Sequence, residues 1–153
     1  SDINAILQEV LFDIDEEITS KNAKITIDTL PPLYVNARLI RMLFHNLIGN
    51  ALKYCKKDTN PEIKIYAENS PVINSRDKKY CRIFIEDNGI GFDQKYAEDI
   101  FGMFKRLHHE SEFSGTGIGL ALCKKIVEQH HGFISAQSQI NSGAKFIVSL
   151  PIL

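Results

Sequence analysis

The stretch RLIRMLFHNLIGNALKY, residues 38–54, decides the architecture that we expect for the whole chain. Its apolar residues recur every three or four positions, which predicts an amphipathic helix from Ala37 to about Lys56, with Asn36 as its N-cap. The residues expected to face the core are Leu39, Leu43, Leu47 and Ala51. An apolar stripe of this kind must be covered by another layer of secondary structure, which the flanking segments have to supply.

The other face of this helix is polar in an unusual way. Asn46, Asn50 and Lys53 are spaced four and three residues apart, so they stack on one side. Asparagine is a poor helix former, so this side is either merely solvated or a ligand-binding face. Mg²⁺ prefers oxygen ligands and keeps several waters, so the Asn50 amide oxygen with triphosphate oxygens would suffice to hold it. Lys53 would place a charge near a phosphate, and Tyr54 would lie in the core or beside the ligand.

The flanking segments predict an α+β fold, a two-layer sandwich in which helices cover one face of a mostly antiparallel sheet. Apolar periodicity predicts helices over residues 3–18 and 117–131, with Gly132 in the C-terminal cap position, and a short helix near 94–100. Alternation predicts strands at 23–28, 62–68, 80–87, 133–138 and 144–151, at most a short strand at 34–35, and a polar hairpin loop over 69–79. We expect residues 1–153 to form one domain.

The stretch EDNGIGFD, residues 86–93, ends an apolar strand with acidic residues and then two glycines. One interpretation is an ordinary tight turn, because Asn-Gly and Gly-x-Gly are common turn sequences. The other is a pocket wall, in which Asp87 contacts a ligand while Gly89 and Gly91 let that ligand approach the backbone. The stretch alone favours the turn, so the choice depends on the rest of the chain.

The stretch SGTGIGLALCKKIVEQHHG, residues 114–132, places Gly115, Gly117 and Gly119 directly before an amphipathic helix. Free N–H groups at a helix N-terminus bind anions, and glycines let phosphates come close. The motif does not follow a strand and lacks a Gly-Lys-Ser/Thr sequence, so neither a dinucleotide-binding fold nor a P-loop is indicated. Another phosphate-binding architecture is required.

Between these two glycine-rich stretches lies an irregular segment, residues 101–116, that we interpret as an active-site lid. Phe101 and Phe104 would anchor one end of it, and Lys105 and Arg106 would supply cations. The adjacent histidine pairs at 108–109 and 130–131 are more consistent with exposed side chains than with a metal site.

Composition excludes several classes of protein. The 153 residues carry a net charge of -1, which gives no sign of a nucleic-acid surface. No apolar run is long enough to cross a bilayer, so we expect no membrane contact from this segment. The cysteines, three in number and far apart, indicate reduced thiols. The chain begins within a helical pattern, which suggests a piece of a longer protein.

Taken together, the motifs resemble one family, the C-terminal catalytic, ATP-binding domain of sensor histidine kinases, whose Bergerat fold is shared with gyrase-type ATPases. NLIGNALKY is similar to the asparagine box of that family, DNGIGF to its first glycine box, IFGMFKR to its phenylalanine box and GTGIGLALCKKIVEQHHG to its second glycine box. SGAKFIVSLP is similar to the closing strand. The matches run in the family's order over roughly residues 36–151, and the amino-acid sequence of the later motifs is most similar to that of the phytochrome-like subgroup.

The resemblance implies Mg-ATP as the ligand and a role for each matching residue. Asp87 would accept a hydrogen bond from the adenine amine and so disfavour guanine, Asn50 would bind Mg²⁺, and Arg106 would neutralise charge on the transferred phosphoryl group. Asn46, Lys53 and Arg106 would serve catalysis. The residues implied to contact the nucleotide are Asn46, Asn50, Lys53, Tyr54, Asp87, Gly89, Gly91, Lys105, Arg106, Gly115, Thr116, Gly117, Gly119 and Leu120.

The implied activity is transfer of the γ-phosphoryl group to a histidine on a separate dimerisation domain, and onward to a response regulator. No histidine of this chain is in a phosphoacceptor context, and the closing strand has Ala144 where the family usually has Ser or Thr beside the Asp–adenine contact, a gap that a water could fill. The resemblance also implies a cytoplasmic location, within a parent protein that is free or membrane-anchored.

Three other functions stay open. A gyrase-like ATP-driven machine carries a glutamate base where this chain has Asn46, which argues against that class. A degenerate nucleotide-sensing or scaffolding module has only Ala144 in its favour. Serine kinases that act on regulatory proteins share the fold and form a minor alternative.

Overall fold

The computed structural model of the protein describes residues 2–68, 72–73, 76, 78–102 and 119–152. Its helices are α1 (Ile3–Asp13), α2 (Asp15–Ser20), α3 (Ala37–Lys53) and α4 (Gly119–Gln129). Its strands are β1 (Lys24–Ile27), β2 (Glu62–Ala67), β3 (Val72–Ile73), β4 (Lys79–Asp87), β5 (Phe133–Ser138) and β6 (Ala144–Pro151). Of the predicted lid, residues 101–102 are described and residues 103–116 lie outside the described part of the chain.

The strands of this described part form one mixed sheet in the order β1-β2-β4-β6-β5, with the two-residue β3 paired to the start of β4. Strands β1 and β2 are parallel, and every other pairing is antiparallel. Parallel neighbours need a crossover connection, and α3 lies within the connection between β1 and β2. The predicted α+β fold with a mostly antiparallel sheet is therefore confirmed.

The helices pack on one face of this sheet. On β4, Cys81, Ile83 and Ile85 point into the same core cluster as the apolar residues of α1, α3 and α4. The core residues of α3 extend beyond the predicted stripe and are Ile40, Leu43, Phe44, Leu47, Ile48, Ala51 and Leu52. Leu39 is only partly buried against them. The central helix is therefore buried over a wider arc than its i, i+4 stripe indicated.

The opposite face of the sheet carries no described helix and is covered by its own side chains. Phe84 is only 8% exposed there, because Tyr66 stacks on its ring with centroids 5.0 Å apart. The charged ends of Arg82 and Lys145 lie 5.5 Å and 5.7 Å from the same ring. Cations over an aromatic face are attracted to its quadrupole, and their alkyl stems exclude water.

The predicted first helix, residues 3–18, is two helices in the structure. The chain leaves helical geometry at Ile14, where φ is -108° and ψ is 18°. Asp15, Glu16 and Glu17 then occupy the first turn of α2, where negative charge favours a helix start. Ile14 and Ile18 continue the apolar pattern across the break, so periodicity alone could not locate it.

The helix predicted to end at residue 131 ends at Gln129, and His131 adopts the left-handed conformation, with φ at 60°. The amide of Gly132 donates to Val127 O at 3.0 Å, and that of His131 donates to Glu128 O at 2.9 Å. These are the paired hydrogen bonds of a Schellman cap. Gly132 is needed for another reason: a Cβ there would lie 2.1 Å from Ser149 O.

Two short elements also differ from the prediction. The helix expected near 94–100 is a pair of 3₁₀ turns, Gln94–Tyr96 and Asp99–Phe101. Residues 34–35 form no strand, and Tyr34 is exposed. Short segments of this kind are decided by tertiary contacts more than by local pattern.

The described residues also bear on the expectations about membrane-spanning helices and about the cysteine thiols. No helix among them is long and apolar enough to cross a bilayer. All three thiols are free, with Cys81 and Cys123 buried and Cys55 partly buried. Burial raises the pKa of the Cys123 thiol to about 12, so this thiol is a core side chain with little thiolate character.

Candidate functional site

The polar face of α3 meets the first turn of α4. The Asn46 side chain donates to Met42 O at 2.9 Å, which leaves its oxygen facing the start of α4. A Cβ built on Gly119 would lie 3.1 Å from that oxygen, Asn46 Oδ1. Leu120, the next residue of α4, is partly buried against the core. Asn46 of the asparagine motif and Gly119 at the end of the second glycine motif are far apart in the sequence and are thus neighbours only in space.

Asn50 lies one turn further along the same face. Its side chain is partly buried, and the amide makes no hydrogen bond to any residue that the structure describes. An amide usually finds a partner when it is withdrawn from water. The Asn50 oxygen is therefore available to an external ligand.

The C-terminal end of α3 meets the loop after β4. Tyr54 O accepts a hydrogen bond from Ile90 N at 3.0 Å. The Lys53 ammonium lies 5.1 Å from the centroid of the Tyr54 ring, an attractive cation–π geometry. The Tyr54 side chain is only partly buried and does not belong to the core cluster, so a core position for this ring is not what the structure shows.

Asp87, the last residue of β4, has one carboxylate oxygen fixed by backbone amides. Its Oδ1 accepts from Gly89 N at 2.8 Å and from Ala144 N at 3.2 Å. The other oxygen, Oδ2, has no hydrogen-bond partner among the described residues. The carboxylate is therefore oriented by the protein, with one acceptor oxygen left over for a ligand.

The electrostatic setting of Asp87 favours a proton. Burial raises the pKa of its carboxyl above the ordinary value, the hydrogen bonds from Gly89 and Ala144 lower the pKa, and the charge of Glu86 raises it again. The net direction is upward, because desolvation disfavours the charged form more than two amides stabilise it. A ligand that donates a hydrogen bond to Oδ2 would offset part of this penalty.

Ala144 stands at the position where the resemblance implies a hydroxyl side chain. In the structure the Ala144 backbone N–H contacts Asp87 directly. A water is therefore not needed to orient Oδ1, although the missing hydroxyl leaves one fewer polar group beside the carboxylate.

The structure gives Gly89 and Gly91 a role that is independent of any ligand. A Cβ on Gly89 would lie 2.5 Å from Tyr54 O, and one on Gly91 would lie 2.1 Å from Gln139 O. Gly91 also has a φ of 64°, which disfavours L side chains. Both glycines are therefore required for the loop after β4 to pack on the rest of the chain.

Sequence reasoning did not single out Ser138, the last residue of β5, which is buried. Its hydroxyl accepts from Phe92 N at 2.8 Å and donates to Gly143 O at 2.7 Å. The one signal in the sequence was a serine at the end of a predicted strand, before the connection to the next strand. Nothing local indicated that this serine contacts a loop 46 residues away.

A cleft of about 540 Å³ opens beside Asp87, and its lining residues are Glu86, Asp87, Gln94, Gln137, Ser138, Gln139, Ser142, Gly143, Ala144 and Lys145. No residue of α3 lines it, so Asp87 and Asn50 are connected through the loop contacts at Tyr54 and not through this cleft. The remaining predicted site residues, Lys105, Arg106, Gly115, Thr116 and Gly117, lie outside the described part of the chain.

The described residues contain no group of three or more His, Cys, Asp or Glu side chains that could hold a metal ion. A metal bound at the polar face of α3 would therefore depend on an amide oxygen and on oxygens that a ligand brings. This donor set suits Mg²⁺, which binds through few protein ligands when substrate phosphates are present.

The chain is similar to known proteins in both sequence and fold. Residues 35–153 match the family described as histidine kinase-, DNA gyrase B-, and HSP90-like ATPase. Cyanobacterial phytochrome A from Nostoc sp. is 37% identical over 152 residues, which are 99% of this chain and 19% of the relative. The chain thus spans about a fifth of the length of that relative.

Two solved structures share the fold. The catalytic domain of the histidine kinase ThkA, in a nucleotide-free form, superposes with a TM-score of 0.77 at 25% identity and covers 99% of this chain and 93% of that one. Full-length ShkA in complex with AMPPNP has a TM-score of 0.77 at 21% identity and covers 99% of this chain and 30% of that one. The family match, the phytochrome relative and the shared fold agree with the motif order, and the chain belongs to the histidine kinase-, gyrase B- and HSP90-like ATPases, with the fold of a histidine kinase catalytic domain.

Proposed function

We propose that this chain binds Mg-ATP and transfers the γ-phosphoryl group to a histidine on a separate dimerisation domain of a two-component sensor kinase. The observation that carries the proposal is the convergence on α3. The first glycine motif contacts Tyr54 at one end of its polar face, and the second ends against Asn46 at the other. A nucleotide laid along this face would have its base near Asp87 and its phosphates near Asn50 and Gly119.

Recognition of adenine is assigned to Asp87. An ionised carboxylate can only accept hydrogen bonds, and its Oδ2 has no partner among the residues described. The exocyclic amine of adenine donates a hydrogen bond, whereas guanine presents a carbonyl at that position. A site built around one buried hydrogen bond rejects a ligand that cannot form it by about 10⁴-fold.

Phosphate and metal binding are assigned to the other end of the face. Asn50 would supply an amide oxygen to Mg²⁺, and Asn46 would support the phosphates from the adjacent turn. Mg²⁺, when bound, neutralises charge on the triphosphate. Lys53 would contribute a cation, as would Lys105 and Arg106 of the lid, while Gly115, Thr116, Gly117 and Gly119 would contribute backbone amides and Leu120 an apolar contact.

Phosphoryl transfer is favoured over hydrolysis because of the side chain at position 46. Hydrolytic members of the fold carry a glutamate there, by the resemblance stated above, to take a proton from water. The Asn46 amide already donates to Met42 O at 2.9 Å and cannot accept a proton at neutral pH. In phosphoryl transfer the protein mainly positions groups and stabilises charge, which amides and cations can do.

The partners follow from the proposed reaction. The chain would act on the phosphoacceptor helix of its parent protein, and a response regulator would receive the phosphoryl group from that helix. ShkA, solved in complex with AMPPNP, and the phytochrome relative support a nucleotide-binding part within a longer signalling chain. We also propose a cytoplasmic location for this part, where ATP is available.

Phosphotransfer to an isolated dimerisation domain tests the proposal. The chain is mixed with γ-labelled Mg-ATP and the dimerisation domain, and label is expected on the histidine of that domain, as an acid-labile phosphoramidate. The Asp87→Asn variant should transfer little, and the matched exposed variant Asp58→Asn should transfer normally. Tight ATP binding without label on the histidine would reject kinase activity, and rapid release of phosphate by the chain alone would indicate an ATP-driven machine instead.

A further inference from the structure

We infer that Ser138 is a positioning residue for adenine recognition, acting on Asp87 through a single peptide group. The inference rests on the proposed function and deepens it, because it names the group that sets the direction of the base-reading carboxylate. Among the described residues, the hydrogen bonds of the Ser138 hydroxyl go to Phe92 and Gly143 and not to α3, so its effect should be confined to the base.

The link is the peptide group between Gly143 and Ala144. Its carbonyl, Gly143 O, accepts from the Ser138 hydroxyl at 2.7 Å. Its amide, Ala144 N, donates to Asp87 Oδ1 at 3.2 Å. A peptide group is planar, so a hydrogen bond that fixes the carbonyl also fixes the direction of the N–H on the opposite side.

The hydroxyl of Ser138 is itself held in place. It accepts from Phe92 N at 2.8 Å, within the same loop that begins at Asp87. The Ser138 backbone amide donates to Gln94 Oε1 at 2.8 Å, and Gln94 Nε2 donates to Ala136 O at 3.2 Å. Successive hydrogen bonds polarise one another, so the order Phe92 N–H, Ser138 O–H, peptide 143–144 and Asp87 forms a continuous chain of donors and acceptors.

The turn that contains this peptide group is held close to Asp87 and to the loop after β4. A Cβ on Gly143 would lie 2.0 Å from Asp87 O, so the turn is packed directly against the residue that it orients. Asn141 N donates to Ile90 O at 2.6 Å, which ties the turn to the loop at a second point. When the hydroxyl is removed, the buried Gly143 carbonyl loses its partner, and rotation of the peptide toward water would withdraw the N–H from Asp87.

The arrangement also accounts for Ala144. A hydroxyl side chain at position 144 would contact Asp87 from the closing strand itself. In this chain the hydroxyl stands on the neighbouring strand β5, at Ser138, and reaches Asp87 through the backbone instead. The polar support for the carboxylate is therefore displaced by one strand.

Base selectivity tests this inference. ATP and inosine triphosphate differ at the position that Asp87 would read, since inosine has a carbonyl where adenine has an amine, and their triphosphates are identical. Affinities of the purified chain for both, by calorimetry, give a preference ratio. Ser138→Ala should reduce that ratio at least tenfold, mainly by weakening ATP, while its affinity for inorganic triphosphate stays within twofold of wild type.

Two further variants separate positioning from simple stability. Ser149→Ala is the matched control, because Ser149 is the other buried serine of the described residues and neither contacts Asp87 nor lies in the turn. It should keep the wild-type ratio even where it lowers the unfolding midpoint. Gln94 is exposed, and Gln94→Ala removes the two hydrogen bonds of its side chain, to Ser138 N and Ala136 O. This variant should also lower the preference for ATP over inosine triphosphate. It serves as the test of the inference if Ser138→Ala does not fold.

The outcomes distinguish adenine recognition by Asp87 from the positioning role of Ser138. Equal affinity of the wild-type chain for the two nucleotides would overturn adenine recognition by Asp87, and with it the inference. A wild-type preference for ATP that survives unchanged in Ser138→Ala, or in Gln94→Ala where only that variant folds, would overturn the positioning role of Ser138 and leave the proposed function standing.

Discussion

At the scale of single residues, the site depends on groups held in unfavourable states by their surroundings. Asp87 is the clearest case, because its folded-state pKa is raised mainly by burial. The folded protein then binds a proton at this carboxyl more tightly than the unfolded chain does, so stability falls as pH rises from the ordinary aspartate pKa through the raised one. Above that window the ionised carboxylate destabilises the fold by a constant amount, which nucleotide binding would offset.

Asp87→Asn should therefore separate stability from binding. The neutral amide keeps an oxygen for the Gly89 and Ala144 amides and removes the buried charge, so the midpoint of thermal unfolding at pH 7 should rise. Affinity for ATP should fall about 10- to 100-fold, because a charged acceptor is replaced by a donor that faces the adenine amine.

A pH series checks the sign of this effect. The difference in unfolding midpoint between Asp87→Asn and wild type should shrink as the pH is lowered through the raised pKa of the wild-type carboxyl, because the carboxyl then takes up its proton. Asp58→Asn, at an exposed turn, should show no such difference. A midpoint for Asp87→Asn below that of wild type at pH 7 would contradict the prediction.

At the scale of elements, α3 contains a glycine that its helix does not need. Apart from its two chain neighbours and the nearby helix backbone, no heavy atom of the described residues lies within 4 Å of a Cβ built on Gly49, and glycine inside a helix costs about 1 kcal/mol relative to alanine. Gly49→Ala should stabilise the protein by about 1 kcal/mol, or about 2–4 °C in a domain of this size. Urea unfolding with an unchanged slope would verify it, and destabilisation would show that the space beside Gly49 is occupied.

The end of α4 allows a paired test, because adjacent residues there should respond in opposite directions. His131→Gly relieves a left-handed residue and should stabilise by up to about 1 kcal/mol. Gly132→Ala would drive a methyl group into Ser149 O, 2.1 Å away, and should destabilise by about 1–3 kcal/mol. Chemical denaturation of both variants measures the signs, and equal signs would refute this account of the cap.

The elements also show what sequence could and could not predict. Strands β5 and β6 have the predicted bounds, because alternation is a local property that needs no knowledge of the partner strand. Gly132 was predicted from its position at the helix cap, but the contact with β6 that requires a glycine there depends on tertiary structure. The role of Ser138 also depends on tertiary structure, because the folded sheet brings its partners, Phe92 and Gly143, to it.

At the scale of the molecule, α3 is the element to which the other parts attach. Arg41 pairs with Asp13 of α1 at 3.3 Å, Lys21 at the end of α2 donates to Leu52 O at 2.5 Å, and Asn36 N donates to His130 Nε2, just after α4, at 3.0 Å. The resemblance implied that Asn50 and Asp87 belong to one site, and the hydrogen bond from Ile90 N to Tyr54 O joins the segments that carry them. The asparagine motif was enough to predict the polar face of α3. The contacts between the two ends of that face and the two glycine motifs are visible only in the folded chain.

Because the proposed ligand would contact these segments together, its binding should stabilise the whole fold and not one element. A ligand that binds only the folded state at a concentration 100 times its Kd adds about 2.7 kcal/mol, so Mg-ATP at that level should raise the unfolding midpoint by roughly 5–10 °C.

Chelation of Mg²⁺ should remove most of this shift when ATP is present. The chelator alone should leave the midpoint unchanged, since no group of three or more His, Cys, Asp or Glu in the described ranges could hold a metal without the nucleotide. A midpoint that falls in chelator without ATP would place a structural metal in the protein, and an ATP shift that persists without Mg²⁺ would remove Asn50 from its assigned role.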